Sequence, residues 1–219
     1  AQGMRTFADQ FHDRRAPRLW LPSLLASFLR SAPLPSIQEP LPPFRLTDAK
    51  PDTAPLWFFP DALRAMALPP ERIVDNPGWL GITTALRSAR DACRQANVPL
   101  LVVYLPSKEQ VYLPHIVGDG ELLRRYALAS GLAAIPLPDT GEATRQQLLA
   151  QRGALEEALL GFCAGERIGC WSATPSFAAI AARGEAAYYT TDTHWRPQAQ
   201  AEIARALAAE LAAHALLPR

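Results

Sequence analysis

Cysteine, excess charge and long apolar runs are all scarce in this sequence. Its 219 residues include three cysteines, too few and too widely spaced for a zinc knuckle or a disulfide framework. The 22 basic and 21 acidic side chains leave a net charge of +1, which argues against a protein that binds nucleic acid through clustered positive charge. Neither common Gly-rich phosphate loop occurs. We therefore expect no nucleic acid, no metal and no cofactor.

No apolar run approaches the ~20 residues that a membrane-spanning helix needs. The best candidate, 19–29, is interrupted by Pro22, Ser23 and Ser27, so it predicts an amphipathic or interfacial helix. A leader with a charged start and an apolar middle is also missing, and the first residue is Ala1.

Proline, in contrast, is abundant and unevenly placed. Of the 21 prolines, eight lie between Pro33 and Pro60. Proline has no backbone N–H and a fixed φ, so this stretch is unsuited to regular helix or central strand. We predict that residues 1–78 form a proline-rich insertion or cover region with one amphipathic helix, and that 79–219 belong to a folded domain.

From residue 79 onward the pattern alternates between helix and strand. The apolar run at 99–106 is bounded by prolines and is typical of a strand buried on both faces of a parallel sheet. A second, shorter strand is predicted over 133–137. Helices are predicted over 79–97, 121–132, 140–162, 171–184 and from Pro197 onward. The order strand, helix, strand predicts an α/β fold with a mainly parallel sheet and helices on its faces.

The segment that precedes the last helix carries the most informative side chains. Asp192 and His194 are two residues apart, so in an extended or loop backbone both side chains point to the same side. A carboxylate that holds the Nδ1–H of a histidine fixes its tautomer and leaves Nε2 free to take a proton from a nucleophile. Two alternatives remain open: Asp192 caps the last helix, or both residues bind a metal together with a third donor.

Two blocks of sequence carry a family resemblance. Residues 188–195, YYTTDTHW, resemble the YY-x-x-D-T-H-W block of the SGNH hydrolase-like proteins related to the alginate O-acetyltransferases. Residues 100–114 are similar to the stretch in those proteins where a buried strand leads into P-x-K-x-x-x-Y. The resemblance covers about residue 79 to the C-terminus. It implies a flavodoxin-like three-layer α/β/α sandwich and a Ser-His-Asp triad that transfers acetyl groups to or from a polysaccharide outside the cytoplasm.

The resemblance also implies roles for five residues. Asp192 corresponds to the acid of the triad and His194 to its general base. Trp195 would pack the loop as a core aromatic. Lys108 and Tyr112 match the second block and would support the site, with Lys108 pairing a carboxylate nearby.

The nucleophile of this triad is not identified in the chain. No serine follows a Gly-Asp or Gly-x pair after a strand, and Ser107, which directly follows the predicted strand, is the nearest internal candidate. We interpret the chain as the C-terminal portion of a longer protein, with a fold incomplete at its N-terminus. The serine and a signal sequence or membrane anchor would then lie further upstream, and this chain alone would be inactive.

The resemblance implies a periplasmic or extracytoplasmic location. A polysaccharide substrate and a membrane-bound protein that donates the acyl group would be its partners. The alternative is a non-catalytic scaffold or carbohydrate-binding component of an exopolysaccharide export complex. In an oxidising compartment Cys163 and Cys170 could form a disulfide; the alternative is a pair of ordinary buried thiols.

Overall fold

Helices make up most of the part of the chain that the structure, a computed structural model, describes: residues 41–47, 54–118, 120–132 and 135–213. The helices within these ranges are α1 (Pro60–Met66), α2 (Pro70–Ile73), α3 (Pro77–Gln95), α4 (Lys108–Tyr112), α5 (Gly120–Leu128), α6 (Gly141–Gln151), α7 (Ala154–Glu166), α8 (Thr174–Ala182) and α9 (Pro197–Ala213). The strands are β1 (Arg45–Leu46), β2 (Leu101–Tyr104), β3 (Ile116–Val117) and β4 (Gly169–Ser172).

The four strands form two small sheets. β2 and β4 pair in parallel, with Leu101 opposite Gly169 and Tyr104 opposite Ser172. β1 and β3 pair in antiparallel orientation. The predicted α/β class is therefore confirmed for the described residues, although each sheet has two strands and only one of the sheets is parallel.

The predicted partner of the first parallel strand was wrong. Residues 135–137 form no strand, and 133–134 lie outside the described residues. Pro136 lies within this stretch and Pro138 follows it, and neither can donate a hydrogen bond to a ladder. Strand β2 instead pairs with β4, whose Trp171 and Ser172 we expected to be helical.

Local capping sets the helix boundaries. The side chain of Asn76 accepts a hydrogen bond from Gly78 N at 2.8 Å, and Pro77 occupies the first turn, so α3 begins two residues before the predicted start. The single helix predicted over 140–162 is two helices, because the chain breaks at Arg152 and Gly153. Gly153 becomes the N-cap of α7.

The main hydrophobic core contains residues from both sides of the predicted boundary at residue 78. Phe44 and Phe58 stack with ring centroids 4.6 Å apart, and Phe44 also contacts Tyr126 of α5 at 5.0 Å. All three rings are buried. The proline-rich segment from residue 41 onward therefore contributes to the same core as the helices that follow it. The predicted amphipathic helix at 19–29 lies outside the described residues.

Two glycines allow α5 and α6 to meet at their N-termini. A Cβ added at Gly141 would lie 2.2 Å from Glu121 N, and one added at Gly120 would lie 2.5 Å from Gly141 O. Real Cβ atoms do not approach backbone atoms so closely, so glycine is required at both positions.

Candidate active site

Residues 186–197 form a short antiparallel hairpin that carries the Asp-His pair. Tyr188 and Trp195 make the bridge, Tyr189 N donates to His194 O at 3.0 Å, and Arg196 N donates to Ala187 O at 2.8 Å. In this register Tyr189 lies directly opposite His194. Because successive side chains point to opposite sides of a strand, the hairpin has two different faces.

One face of the hairpin packs into the core. The Tyr188 ring stacks on Phe177 of α8 with centroids 5.0 Å apart, and Trp195 meets the same ring edge-on at 5.5 Å. Tyr188 is 1% exposed, whereas Trp195 is half-buried. Trp195 therefore packs against α8 on this face.

The other face of the hairpin is open to solvent and holds the Asp-His pair. Asp192 Oδ1 lies 3.2 Å from His194 Nδ1 and accepts a hydrogen bond from His194 N at 2.6 Å. The side chains are 82% exposed for His194 and 52% for Asp192. The carboxylate thus orients the imidazole through Nδ1, which leaves Nε2 available to exchange a proton with a bound group.

The hydrogen bond from the backbone N–H of His194 is the main cause that lowers the pKa of Asp192 below its usual value of 3.8, and the nearby imidazole and Lys108 act in the same direction. Asp192 is therefore ionised throughout the neutral range. Asp192 Oδ1 contacts the backbone N and the Nδ1 of His194, two residues further along. This geometry does not match the alternative that Asp192 caps the last helix.

Lys108, the first residue of α4, holds the hairpin through hydrogen bonds to its backbone carbonyls. Its Nζ donates to the carbonyl oxygens of Asp192 at 2.9 Å, Thr190 at 3.1 Å and Tyr189 at 3.4 Å. The side chain is fully buried, and its ammonium lies 5.3 Å from the centroid of the Phe59 ring. Burial lowers the pKa of Lys108, while the charges of Glu109 and Asp192 oppose that shift. Its hydrogen bonds go to carbonyls, so the expected pairing with a carboxylate was not the main contact.

Two tyrosines complete the attachment of the hairpin to the segment 106–112. Tyr112 OH donates to Glu185 O at 2.7 Å and accepts from Ala187 N at 2.6 Å. Tyr188 OH donates to Pro106 O at 2.7 Å. Burial raises the pKa of Tyr112 to about 12, so its hydroxyl remains a donor. The two sequence blocks are therefore bound to each other by buried hydrogen bonds.

The structure brings together all five residues singled out from the sequence. Asp192 and His194 lie on the outer face of the hairpin, Trp195 lies on its inner face, and Lys108 and Tyr112 lie beneath it. The two supporting residues contact the backbone of the hairpin and hold it in place.

Three further residues at the site were not singled out from the sequence. Tyr189 is 44% exposed beside His194, and the Arg196 guanidinium lies 5.9 Å from the centroid of its ring. Arg196 Nε is buried and has no hydrogen-bond partner among the described residues. Alternation would have placed Arg196 on the face of His194, whereas Tyr189 reaches that face only through the register of the hairpin. Glu109, in contrast, carries no sequence signal that distinguishes it from an ordinary surface glutamate.

Glu109 is a fully buried carboxyl beneath the hairpin. Its Oε1 accepts a hydrogen bond from Phe59 N at 2.7 Å, while Oε2 has no hydrogen-bond partner among the described residues. Burial is the largest cause that raises the pKa of Glu109, and the neighbouring Lys108 charge opposes it.

Among the residues that the structure describes, none is placed as a nucleophile at the imidazole. Ser107 is the N-cap of α4, and its Oγ accepts from Gln110 N at 3.1 Å. Within the described ranges, no serine hydroxyl forms a hydrogen bond with His194. Ser107 therefore has a structural role that accounts for its position after β2.

A second polar cluster lies at the carboxyl ends of the parallel strands. The carboxylate of Glu156 accepts hydrogen bonds from the hydroxyls of Ser172 and Thr174 and from Gln110 Nε2. Tyr104 OH in turn donates to Gln110 Oε1 at 2.6 Å. These bonds join α7 to β4, α8 and α4, and each carboxylate oxygen accepts at least one of them.

No group of three or more histidine, cysteine, aspartate or glutamate side chains arranged to hold a metal ion occurs among the described residues. In the same part of the chain, no helix combines the length and apolar character that crossing a bilayer requires. No family model, curated protein or solved structure matches the chain.

Proposed function

We propose that this protein supplies the acid and base of an SGNH-type O-acyltransferase or esterase that acts on a polysaccharide. The observation that supports this most directly is the Asp192–His194 pair, held at 3.2 Å with the imidazole 82% exposed on a hairpin that buried side chains fix in place. A rigid support beneath a reactive side chain is what acid–base catalysis requires.

In the proposed reaction, His194 Nε2 takes the proton of a serine hydroxyl as that oxygen attacks the carbonyl carbon of an acetyl ester. The donor oxygen leaves with the proton returned by the imidazolium, and the serine holds the acetyl group. A sugar hydroxyl, or water in an esterase, then gives its proton to His194 and takes the acetyl group from the serine. Asp192 stabilises the imidazolium in both steps. The described residues do not place this serine at the imidazole.

The finer description of the fold belongs to the same proposal. We propose a flavodoxin-like three-layer α/β/α sandwich with a mainly parallel sheet. Such a fold would contain a parallel pair like β2–β4, with helices that connect and follow the strands. We likewise propose a periplasmic or extracytoplasmic location and a membrane-bound acyl-donor protein as partner.

The test compares ester hydrolysis by the wild-type protein and three variants, each in a form that also contains the serine nucleophile. We expect His194→Ala to lose the hydrolysis of p-nitrophenyl acetate, because the base is removed. Asp192→Asn should lose most of it, since the amide retains an acceptor for His194 N but no longer stabilises the imidazolium. His115→Ala is the control: any accessible imidazole hydrolyses activated esters slowly, and this variant measures that background. Equal rates for wild type and His194→Ala would refute a catalytic role for the pair.

A second candidate is a non-catalytic carbohydrate-binding or scaffold component of an exopolysaccharide export complex. The exposed Tyr189 ring beside His194 favours it, because sugars stack on exposed aromatic rings, and no described hydroxyl bonds to the imidazole. This candidate predicts that Tyr189→Ala weakens the binding of an oligosaccharide, whereas Leu80→Ala, which removes a similarly exposed side chain of α3, does not. Saturation-transfer NMR with the oligosaccharide would measure both.

A further inference from the structure

An open cavity of about 560 Å³ lies at the amino ends of the parallel strands β2 and β4. Its walls come from the last turns of α3, the loop before β2, the first residues of both strands and Glu210 of α9. The volume is within the range of sites that bind small molecules. None of the described residues that line it belongs to the hairpin of Asp192 and His194, so the cavity is a separate feature of the molecule.

Two turns of the same construction lead from a helix into each strand at this cavity. Asn97 follows α3 with φ 53°, and Arg167 follows α7 with φ 55°. In both turns the next residue, Val98 or Ile168, donates its backbone N–H at 2.9 Å to the carbonyl five residues earlier. Val98 and Ile168 then line the cavity.

Arginine is an unusual residue for the second of these turns. A left-handed backbone at the end of a helix favours glycine or asparagine; Asn97 fits this preference, and Arg167 does not. The Arg167 side chain is exposed, lines the cavity and makes no ion pair within the described residues. The turn therefore does not account for an arginine at this position, whereas a ligand that contacts the guanidinium would.

A second guanidinium group lines the same cavity. Arg94, in the last turn of α3, makes one long contact, from Nη2 to the backbone oxygen of Glu166 at 3.4 Å. Arg90 also lines the cavity, but ion pairs with Asp91 and Glu166 compensate its charge. Among the described residues of the lining, the one carboxylate is that of Glu210. Positive charge therefore exceeds negative charge along the lining, and guanidinium groups bind anions through charge-assisted hydrogen bonds.

We propose that this cavity binds a small organic anion, a molecule with an apolar body and one carboxylate or sulfonate group. The anionic group contacts Arg94 and Arg167, and the apolar body packs on the side chains between them and the strands. These side chains are apolar and come from both turns and from β2: Val98, Pro99, Leu100, Leu101 and Ile168. Burial of apolar surface then supplies affinity, while the guanidinium groups select a negative charge.

Two related fluorescent probes test the two parts of this proposal. Anilinonaphthalene sulfonate has an aromatic body with one sulfonate, and phenylnaphthylamine has the same aromatic body without the charge. We expect the full chain to bind one sulfonate probe in this cavity. The backbone amide signals that shift most in NMR spectra during the titration should be those of residues 98–101 and 167–170. Shifts that are confined to another region would overturn the proposal.

Paired variants test the role of the two arginines. Arg94→Gln combined with Arg167→Asn should weaken the binding of the sulfonate probe about tenfold or more, because charge-assisted hydrogen bonds are lost, and should leave the binding of the neutral probe unchanged. Asparagine is chosen because it tolerates the left-handed backbone of residue 167, so the Tm should not fall through strain in this turn. Val98→Ser, at a side chain that is 55% exposed, should weaken the binding of both probes.

The control removes the same charge from exposed positions elsewhere. Arg72→Gln combined with Arg125→Gln should leave the affinity for both probes unchanged. An equal loss of sulfonate affinity in the two double variants would show a general effect of net charge and would contradict a site at Arg94 and Arg167. Unchanged sulfonate affinity in the Arg94 and Arg167 double variant would overturn the proposal as well.

Discussion

Replacement of Lys108 by methionine should release the hairpin that carries Asp192 and His194. Methionine has a similar length and no charge, so the change removes the three hydrogen bonds from Nζ to the carbonyls of residues 189, 190 and 192 while it retains most of the packing. The side chain is fully buried, so water does not readily replace the ammonium.

The size of the effect follows from these contacts. A hydrogen bond to a charged group contributes about 1.5–3 kcal/mol, and the contact at 3.4 Å is at the weak end. The Thr190 carbonyl also keeps its hydrogen bond from Trp57 N at 3.0 Å, and burial of the ammonium itself costs free energy. We therefore expect a loss of about 2–4 kcal/mol in the free energy of unfolding. That corresponds to a Tm lower by roughly 5–15 °C for a chain of this size.

Urea unfolding followed by tryptophan fluorescence would measure this loss. Arg72→Met is the control, because it removes an exposed cation from α2 and should change stability by less than about 0.5 kcal/mol. Native-state hydrogen exchange would show whether Tyr189 N, which donates to His194 O, loses protection. A loss below about 1 kcal/mol for Lys108→Met, with this protection unchanged, would refute the view that Lys108 holds the hairpin.

Three other predictions concern the surroundings of the site and the helix contacts. Tyr112→Phe should lower the free energy of unfolding in urea by about 1–3 kcal/mol, because Ala187 N loses its buried acceptor and Glu185 O loses its donor. Tyr126→Phe should lower it by less, because it removes only the donation of that hydroxyl to the carbonyls of Pro42 and Leu41. Glu109→Gln should raise the free energy of unfolding at pH 7 and have no such effect below pH 4. The reason is that the folded-state pKa of Glu109 is raised above its usual 4.5, so the wild-type protein loses stability as the pH rises and this buried carboxyl ionises. A gain that is equal at both pH values would contradict this reasoning. Gly141→Ala should lower the free energy of unfolding by about 1–3 kcal/mol or more, because the new Cβ would lie 2.2 Å from Glu121 N. Gly161→Ala should stabilise α7 by about 0.5–1 kcal/mol, because its new Cβ would have no atom within 4 Å. Calorimetry of both variants checks the contrast.

Local patterns in the sequence determined several features directly. The run of aliphatic residues between Pro99 and Pro106 gave strand β2, and Pro197 marked the start of α9. Asp192 and His194 meet because they are two residues apart in one loop, so their contact needs no long-range information. Capping residues such as Asn76 and Ser107 act on amides two or three positions away. All these features depend on neighbours in the chain, which a sequence displays.

Tertiary structure alone decided which distant segments meet. The partner of β2 is β4, 68 residues further along, whereas Pro136 and Pro138 keep residues 135–137 from donating a full set of ladder hydrogen bonds. Lys108 was singled out by resemblance, but it holds the hairpin by donating to backbone carbonyls that are more than 80 residues further along the chain. The burial of Glu109 likewise follows from how α4 packs. Side-chain burial and long-range hydrogen bonds depend on the closed core, and no local pattern encodes them.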